Sequence, residues 1–182
     1  MKEVNPEGRN IIEPLDPEKH DRTAFSCGVS KVDNFFRQTA NRLAKANNLR
    51  TFVLVSSGGD VMGFYSLNAH AVDYTDLPNR FARHRPGHGS IPAAYISMIG
   101  VDRKCQGSGH GGVLLADCLA RIAHVAEDLG IAVAMLDVLD CGDPRQVQRR
   151  QMLYQSYGFQ PLPSNPLRMF MPLATIRQLV GG

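Results

Sequence analysis

The stretch Val101-Asp102-Arg103-Lys104-Cys105-Gln106-Gly107-Ser108-Gly109-His110-Gly111 sits where a strand pattern gives way to a helix pattern. Before it, residues 93–101 form an apolar run that predicts a buried strand. After it, Leu115, Cys118, Leu119, Ile122, Ala126 and Leu129 recur at helical spacing across residues 111–129, and Gly130 follows as a terminator. A glycine-rich turn between strand and helix exposes unpaired backbone N–H groups at a helix N-terminus, aimed at an anion. Glycine carries no Cβ, so the backbone can approach a pyrophosphate closely. Ser108 adds a hydroxyl donor and Gln106 can brace the turn. The glycines at 107, 109, 111 and 112 do not match the GxGxxG dinucleotide spacing, and the Gly-Lys-Ser/Thr of a Walker loop is absent. A glycine-rich turn without a ligand is the plain alternative.

Outward from this turn, the patterns alternate. Residues 11–12 are a short apolar run before Pro14, suggesting an edge strand. Ser30 is a candidate cap for residues 31–45, where Val32, Phe35, Phe36, Thr39, Ala40 and Leu43 fall at helical spacing. Residues 51–55 and 61–67, separated by Ser56-Ser57-Gly58-Gly59-Asp60, predict a hairpin. Residues 73–90, with Pro78, Pro86, Arg80, Arg83 and Arg85, read as a long, basic, exposed connection. Beyond the glycine turn, residues 131–139 predict a second buried strand. Residues 144–157 predict a helix with proline in its first turn, closed by Gly158, and residues 167–173 a last strand before a short tail.

With 182 residues, 43% hydrophobic and 20% charged, the chain fits one soluble domain large enough to bury a core. Its apolar runs fall short of the roughly 20 residues needed to span a bilayer. The polar segment 1–9 does not read as a signal peptide, so a cytoplasmic location is expected. Cys27, Cys105, Cys118 and Cys141 show neither CxxC spacing nor a companion His cluster, so reduced thiols and no metal are expected. The net charge of +3 is mild, but arginine outnumbers lysine three to one, which suits phosphate contacts.

The run 101–111 resembles the acetyl-CoA signature of the GNAT acetyltransferases, Gln/Arg-x-x-Gly-x-Gly/Ala after a strand ending in Val-Asp. Downstream, Leu153-Tyr154-Gln155-Ser156-Tyr157-Gly158-Phe159 is similar to that superfamily's Phe-Tyr-x-x-x-Gly-Phe ending. The resemblance implies an α/β fold: a mixed, mostly antiparallel twisted sheet, splayed at the acetyl-CoA slot and flanked by helices, as a single domain with its core over about 21–173. It also implies that Gln106, Gly107, Ser108, Gly109, His110 and Gly111 hold the pyrophosphate. Ile99 and Val101 would pair with the pantetheine arm, Tyr154 would protonate the departing thiolate, and Tyr157 would pack.

Similarity extends to the toxins of this superfamily, through Phe25-Ser26-Cys27-Gly28, Val32-Asp33-Asn34-Phe35-Phe36-Arg37, Arg50-Thr51-Phe52-Val53 and Gly63-Phe64-Tyr65-Ser66-Leu67. Met98, where the toxins usually carry arginine, and a longer segment 139–151 depart from their pattern. What the toxin resemblance implies is acetylation of the α-amine of aminoacyl-tRNA, a ribbon-helix-helix antitoxin as partner, and a homodimer. A GNAT enzyme acting on a small amine or a protein N-terminus is the alternative, and a non-catalytic CoA-binding domain a third.

The acids give separate chemical support. A lysine amine, with reference pKa about 10.4, gains from a general base, whereas an α-amine near 8 is already partly neutral at pH 7.4. None of the glutamates, Glu3, Glu7, Glu13, Glu18 and Glu127, lies on a segment expected to line the acetyl site; Asp137 and Asp140 remain available. Arg37, Arg42, Lys45, Arg50, Arg149 and Arg150 join the loop arginines as candidate phosphate contacts, or as a solvated basic surface.

Overall fold

A computed structural model describes residues 9–181. The polar segment weighed above as a signal peptide, with Glu3 and Glu7, lies almost wholly outside them. Among the described residues, seven strands form one sheet in the order β1-β2-β3-β4-β5-β7-β6. In chain order they are β1 (Ile11–Pro14), β2 (Arg50–Val55), β3 (Val61–Asp73), β4 (Ser90–Val101), β5 (Val133–Asp137), β6 (Gln160–Pro161) and β7 (Arg168–Pro172). Helices α1 (Ser30–Asn34), α2 (Ala40–Lys45), α3 (Asn79–Ala82), α4 (His110–Val125), α5 (Pro144–Ser156) and α6 (Leu173–Val180) complete it. Strands β1–β2, β2–β3, β5–β7 and β6–β7 are antiparallel, while β4 and β5 run parallel from Ala93 opposite Val133 to Ile96 opposite Leu136. This is the mixed, mostly antiparallel sheet of the GNAT fold.

The described chain divides into two compact units, one reaching Asn68 and including Ser97–Cys118, the other Ala69–Ile96 with the residues from Leu119 onward. In the first unit, Phe36 lies flat on Phe64 with ring centroids 4.0 Å apart, and Phe25 meets both edge-on. Helix α4 approaches the sheet closely because β3 carries a glycine. A Cβ on Gly63 would lie 2.8 Å from Leu114 Cδ1 and 3.0 Å from the Gly100 carbonyl. In the second unit, Val72, Leu77, Ile91, Ala93, Val133, Met135, Leu162 and Phe170 form the core. Phe81 packs edge-on to Phe170 at 5.4 Å, so the connection 73–90 is anchored by its own apolar residues. It holds a 3-10 turn at Tyr74–Asp76 and helix α3.

Several local expectations are corrected. Ser30 is the first helical residue and not the cap; Val29 occupies the cap position in an extended conformation, without a side-chain bond. The helical pattern of 31–45 is interrupted by a π turn at Phe35–Thr39. Helix α4 stops at Val125 and leaves Leu129 exposed. The expected C-terminal tail is helix α6, tied by Leu173 N–H to the Ala132 carbonyl and by buried Ile176. Tyr157 is only half-buried, and the packing aromatic after helix α5 is Phe159. Helix α5 itself starts as expected, with Pro144 at its N-terminus and Asp143 Oδ1 accepting from Arg145 N–H at 3.0 Å.

Candidate active site

The strand-to-helix turn has the geometry its sequence predicts. Gly107 and Gly109 adopt φ of 82° and 81°, a region that costs a residue with a Cβ about 1–2 kcal/mol. A Cβ on either would meet nothing among the described residues within 4 Å, so the demand for glycine is conformational. The N–H groups of Gly112 and Val113 both turn to the Gly109 carbonyl. Those of Gly107, Ser108, Gly109, His110 and Gly111 have no intramolecular acceptor among the described residues. Five donors at the N-terminus of a sixteen-residue helix fit a diphosphate anion. His110 donates from Nδ1 to the Cys105 carbonyl at 2.9 Å; a carbonyl can only accept, so the proton is on Nδ1. Ser108 and His110 also line a cavity of about 430 Å³ with Asn10, Ile12, Leu54, Val113 and Asp117.

Gln106 braces the turn as expected, through two bonds. Its Nε2 donates to the Val101 and Cys27 carbonyls, each at 2.9 Å. Asp102, at the strand end, is buried; it accepts from Lys104 N–H at 2.9 Å and from Ser26 N–H at 3.0 Å. Ile99 and Val101 lie half-buried on β4, and the Val101 carbonyl is engaged by Gln106.

In the second unit, Tyr154 lies on α5, partly exposed, with its ring 6.1 Å from Phe159 and nearly perpendicular to it. The tight exit after α5 uses Gly158 at φ 102° and brings Phe159 N–H back to the Tyr154 carbonyl at 3.1 Å. Arg150 holds the entry segment, donating to the Leu139 carbonyl at 3.2 Å and to Cys141 Sγ at 3.1 Å.

The sequence left Asp137 open as a base, and the structure commits it elsewhere. Arg168 donates to both its oxygens, at 2.7 and 2.8 Å, and Tyr95 OH donates at 2.6 Å. The Arg168 bonds outweigh burial and hold the carboxyl below its ordinary range, while burial and the same carboxylate push the Tyr95 phenol to about 12. Asp140 caps a local turn at Gly142 N–H. Glu13 is paired with His20 and Lys19 on the edge strand, and Glu127 faces His124 at the end of α4. No three His, Cys, Asp or Glu side chains come together as a metal site among the described residues. None of the four cysteines forms a disulfide; burial, then Asp102, raises the Cys105 thiol above its ordinary value, which disfavours it as a nucleophile.

Of the expected phosphate contacts, several arginines have structural duties. Arg37 donates to the Phe25 carbonyl at 3.0 Å, and Arg50 donates to the carbonyls of Ala44 and Leu49. Arg80 lies 4.6 Å from the Phe81 ring centre and Arg85 4.1 Å from that of Tyr74, which holds the basic connection against its own aromatic residues. Arg42, Lys45, Arg83 and Arg149 are exposed.

No family model matches the chain. It is 62% identical over 174 residues to a probable toxin TacT of Sinorhizobium fredii, across 95% of this chain and 96% of that one. It is 30% identical to a tRNA-acetylating toxin of Mycobacterium tuberculosis, across 88% of this chain and 91% of that one. The chain belongs to the GNAT toxin family. The fold agrees with that of the toxin AtaT, solved in complex with acetyl-methionyl-tRNAfMet, at a TM-score of 0.81 and 23% identity across 94% of this chain and 99% of that one. A tyrosine-to-phenylalanine mutant of AtaT, bound to acetyl-CoA and the C-terminus of the antitoxin AtaR, matches at 0.77 and 22%, across 95% and 99%.

Proposed function

We propose that this chain is an acetyl-CoA-dependent N-acetyltransferase toxin that modifies the α-amine of aminoacyl-tRNA. The observation that carries the reading is the glycine turn at the head of a long helix in a GNAT toxin, where five N–H groups have no acceptor and no Cβ clash arises among the described residues. Gln106, Gly107, Ser108, Gly109, His110 and Gly111 hold the pyrophosphate, and the backbone of Ile99 and Val101 receives the pantetheine arm. Acetyl-CoA supplies the activated acyl group as a thioester. Tyr154 gives its phenolic proton to the departing thiolate as the acceptor nitrogen forms the amide bond directly, and the proton lost by that nitrogen returns to the tyrosinate through solvent. No acetyl-enzyme forms, consistent with the raised Cys105 thiol.

The acceptor follows from the acids. With Asp137 bound by Arg168 and Tyr95, and Asp140 accepting from Gly142 N–H, both carboxylates weighed as bases are engaged. An α-amine, about 2.5 pKa units easier to deprotonate than a lysine, asks least of such a site. The exposed arginines are suited to the tRNA backbone, with affinity falling as salt rises. We further assign the toxin to the cytoplasm as a single-domain homodimer held in check by a ribbon-helix-helix antitoxin. No helix among the described residues is long and apolar enough to cross a membrane.

The test is purified protein with acetyl-CoA and a charged or deacylated tRNA pool, analysed by mass. Acetyl groups on the α-amines of charged tRNA alone support the reading. Acetylation of small amines or protein N-termini, with charged tRNA untouched, replaces it with the alternative acceptor class.

A further inference from the structure

We infer that Asp33 is a positioning residue for acetyl-CoA, acting through the loop Ser26-Cys27-Gly28 on the glycine turn. The inference rests on the proposed acetyl-CoA site at that turn. Asp33 lies on helix α1 and is only 5% exposed. Its carboxylate serves the loop and not its own helix: Oδ1 accepts from Cys27 N–H at 2.7 Å and Oδ2 from Ser26 Oγ at 2.9 Å. Arg37, one turn on, is 3.6 Å from Oδ2. Burial raises the carboxyl's pKa, but the bonds from Cys27 and Ser26 outweigh it and keep the group charged.

From that anchor the loop reaches the glycine turn through Cys27, and the residues just before the turn through Ser26 and Gly28. The Cys27 carbonyl accepts from Gln106 Nε2, the first residue of the glycine turn, at 2.9 Å. Ser26 is fastened on both sides to the strand end, its N–H donating to Asp102 Oδ2 at 3.0 Å and its carbonyl accepting from Arg103 N–H at 2.8 Å. Gly28, at φ 93°, lies beneath the Arg103 guanidinium, where a Cβ would come 2.6 Å from Nε. Hydrogen bonds to a charged carboxylate are shorter and stronger than neutral ones, so a buried carboxylate holding two of them fixes the loop firmly. A loop so fixed presents one carbonyl to Gln106, and Gln106 in turn sets the start of the row of N–H donors. A carboxylate is costly to bury, and packing alone would be served as well by an apolar residue.

The experiment measures acetyl-CoA affinity by calorimetry on the full chain, with kcat at saturating acetyl-CoA and the melting temperature alongside. Asp33→Asn keeps the shape and removes the charge; it is expected to weaken acetyl-CoA binding about tenfold and to leave kcat within about twofold. Ser26→Ala, which removes one bond and poses little risk to folding, is expected to weaken binding about threefold. A purely structural role predicts a lower melting temperature with wild-type affinity in the folded fraction, and that result in both variants overturns the inference. If Asp33→Asn does not fold, Ser26→Ala decides alone. A wild-type protein that binds no acetyl-CoA overturns the proposed cofactor site itself, so the two failures are distinct.

Discussion

Replacing Gly109 by valine separates the turn's role in binding from its role in folding. At φ 81° the backbone lies where a residue with a Cβ is strained by about 1–2 kcal/mol. Among the described residues nothing lies within 4 Å of the added Cβ, so no clash adds to that strain. For a chain of this size each kcal/mol lowers Tm by about 2–4 °C, giving a fall of roughly 2–8 °C from a native state that survives it. Binding suffers more. If the backbone relaxes out of the left-handed region, the N–H groups of His110 and Gly111 turn away from the pyrophosphate. Losing one charged hydrogen bond, about 1.5–3 kcal/mol, weakens Kd by about 10- to 150-fold. Calorimetric titration with acetyl-CoA, paired with thermal unfolding, reads both quantities. Gly111→Ala is the control for strain, since Gly111 lies within α4 and its Cβ would make only an ordinary contact with Val101 Cγ2 of β4 at 4.0 Å. A Gly109→Val protein that melts early yet binds acetyl-CoA with wild-type affinity refutes the assignment of this turn to the pyrophosphate.

Two further expectations test the surroundings. Gly63→Val forces a side chain into the 2.8 Å and 3.0 Å approaches of Leu114 and Gly100 and is expected to cost about 1–3 kcal/mol, read as a lower midpoint in urea; an unchanged midpoint contradicts the close packing of α4 on the sheet. Alkylation at pH 8 should label Cys141 first, because Arg150 bonds its exposed sulfur and lowers its pKa. Cys27, pushed to about 11 by burial and Asp33, is about one part in a thousand thiolate at that pH and should react last of the partly exposed thiols; peptide mapping that finds Cys27 labelled before Cys141 contradicts these surroundings.

Much of the fold could be read from local pattern. The strand at 93–101, the hairpin across Gly58-Gly59 and the helix opened by Pro144 and closed by Gly158 all announce themselves within a few residues. Helix α6 went unread because the short stretch after β7 buries only Ile176, although Leu173, Ile176 and Val180 do keep helical spacing. The π turn at 35–39 carries no sequence signature; it is stabilised from outside, by Arg22 Nη1 on the Phe36 carbonyl at 2.7 Å. The basic connection read as exposed because its prolines and arginines dominate the pattern, whereas Leu77, Phe81 and Tyr74 anchor it to the core of the second unit.

The site was legible to a similar depth. Gly107, Gly109 and the bracing role of Gln106 follow from a strand-to-helix turn that needs left-handed residues and a side-chain amide. The partners of that amide were not legible, since Cys27 lies 79 positions away and only the tertiary fold brings it there. Asp137 could not be judged as a base from sequence for the same reason: Arg168 and Tyr95, which occupy it, come from two other strands.

The central claim is acyl transfer to aminoacyl-tRNA with Tyr154 as the acid, and one measurement meets it directly. Wild-type and Tyr154→Phe proteins are expressed on induction in bacteria, and aminoacyl-tRNA is recovered and analysed by mass for acetylated α-amines. The account predicts growth arrest with acetyl-aminoacyl-tRNA for the wild type. It predicts a fall in turnover of about 10²- to 10⁴-fold for the variant, with acetyl-CoA affinity little changed. Unmodified tRNA and normal growth, in cells holding folded wild-type protein that binds acetyl-CoA, would contradict it.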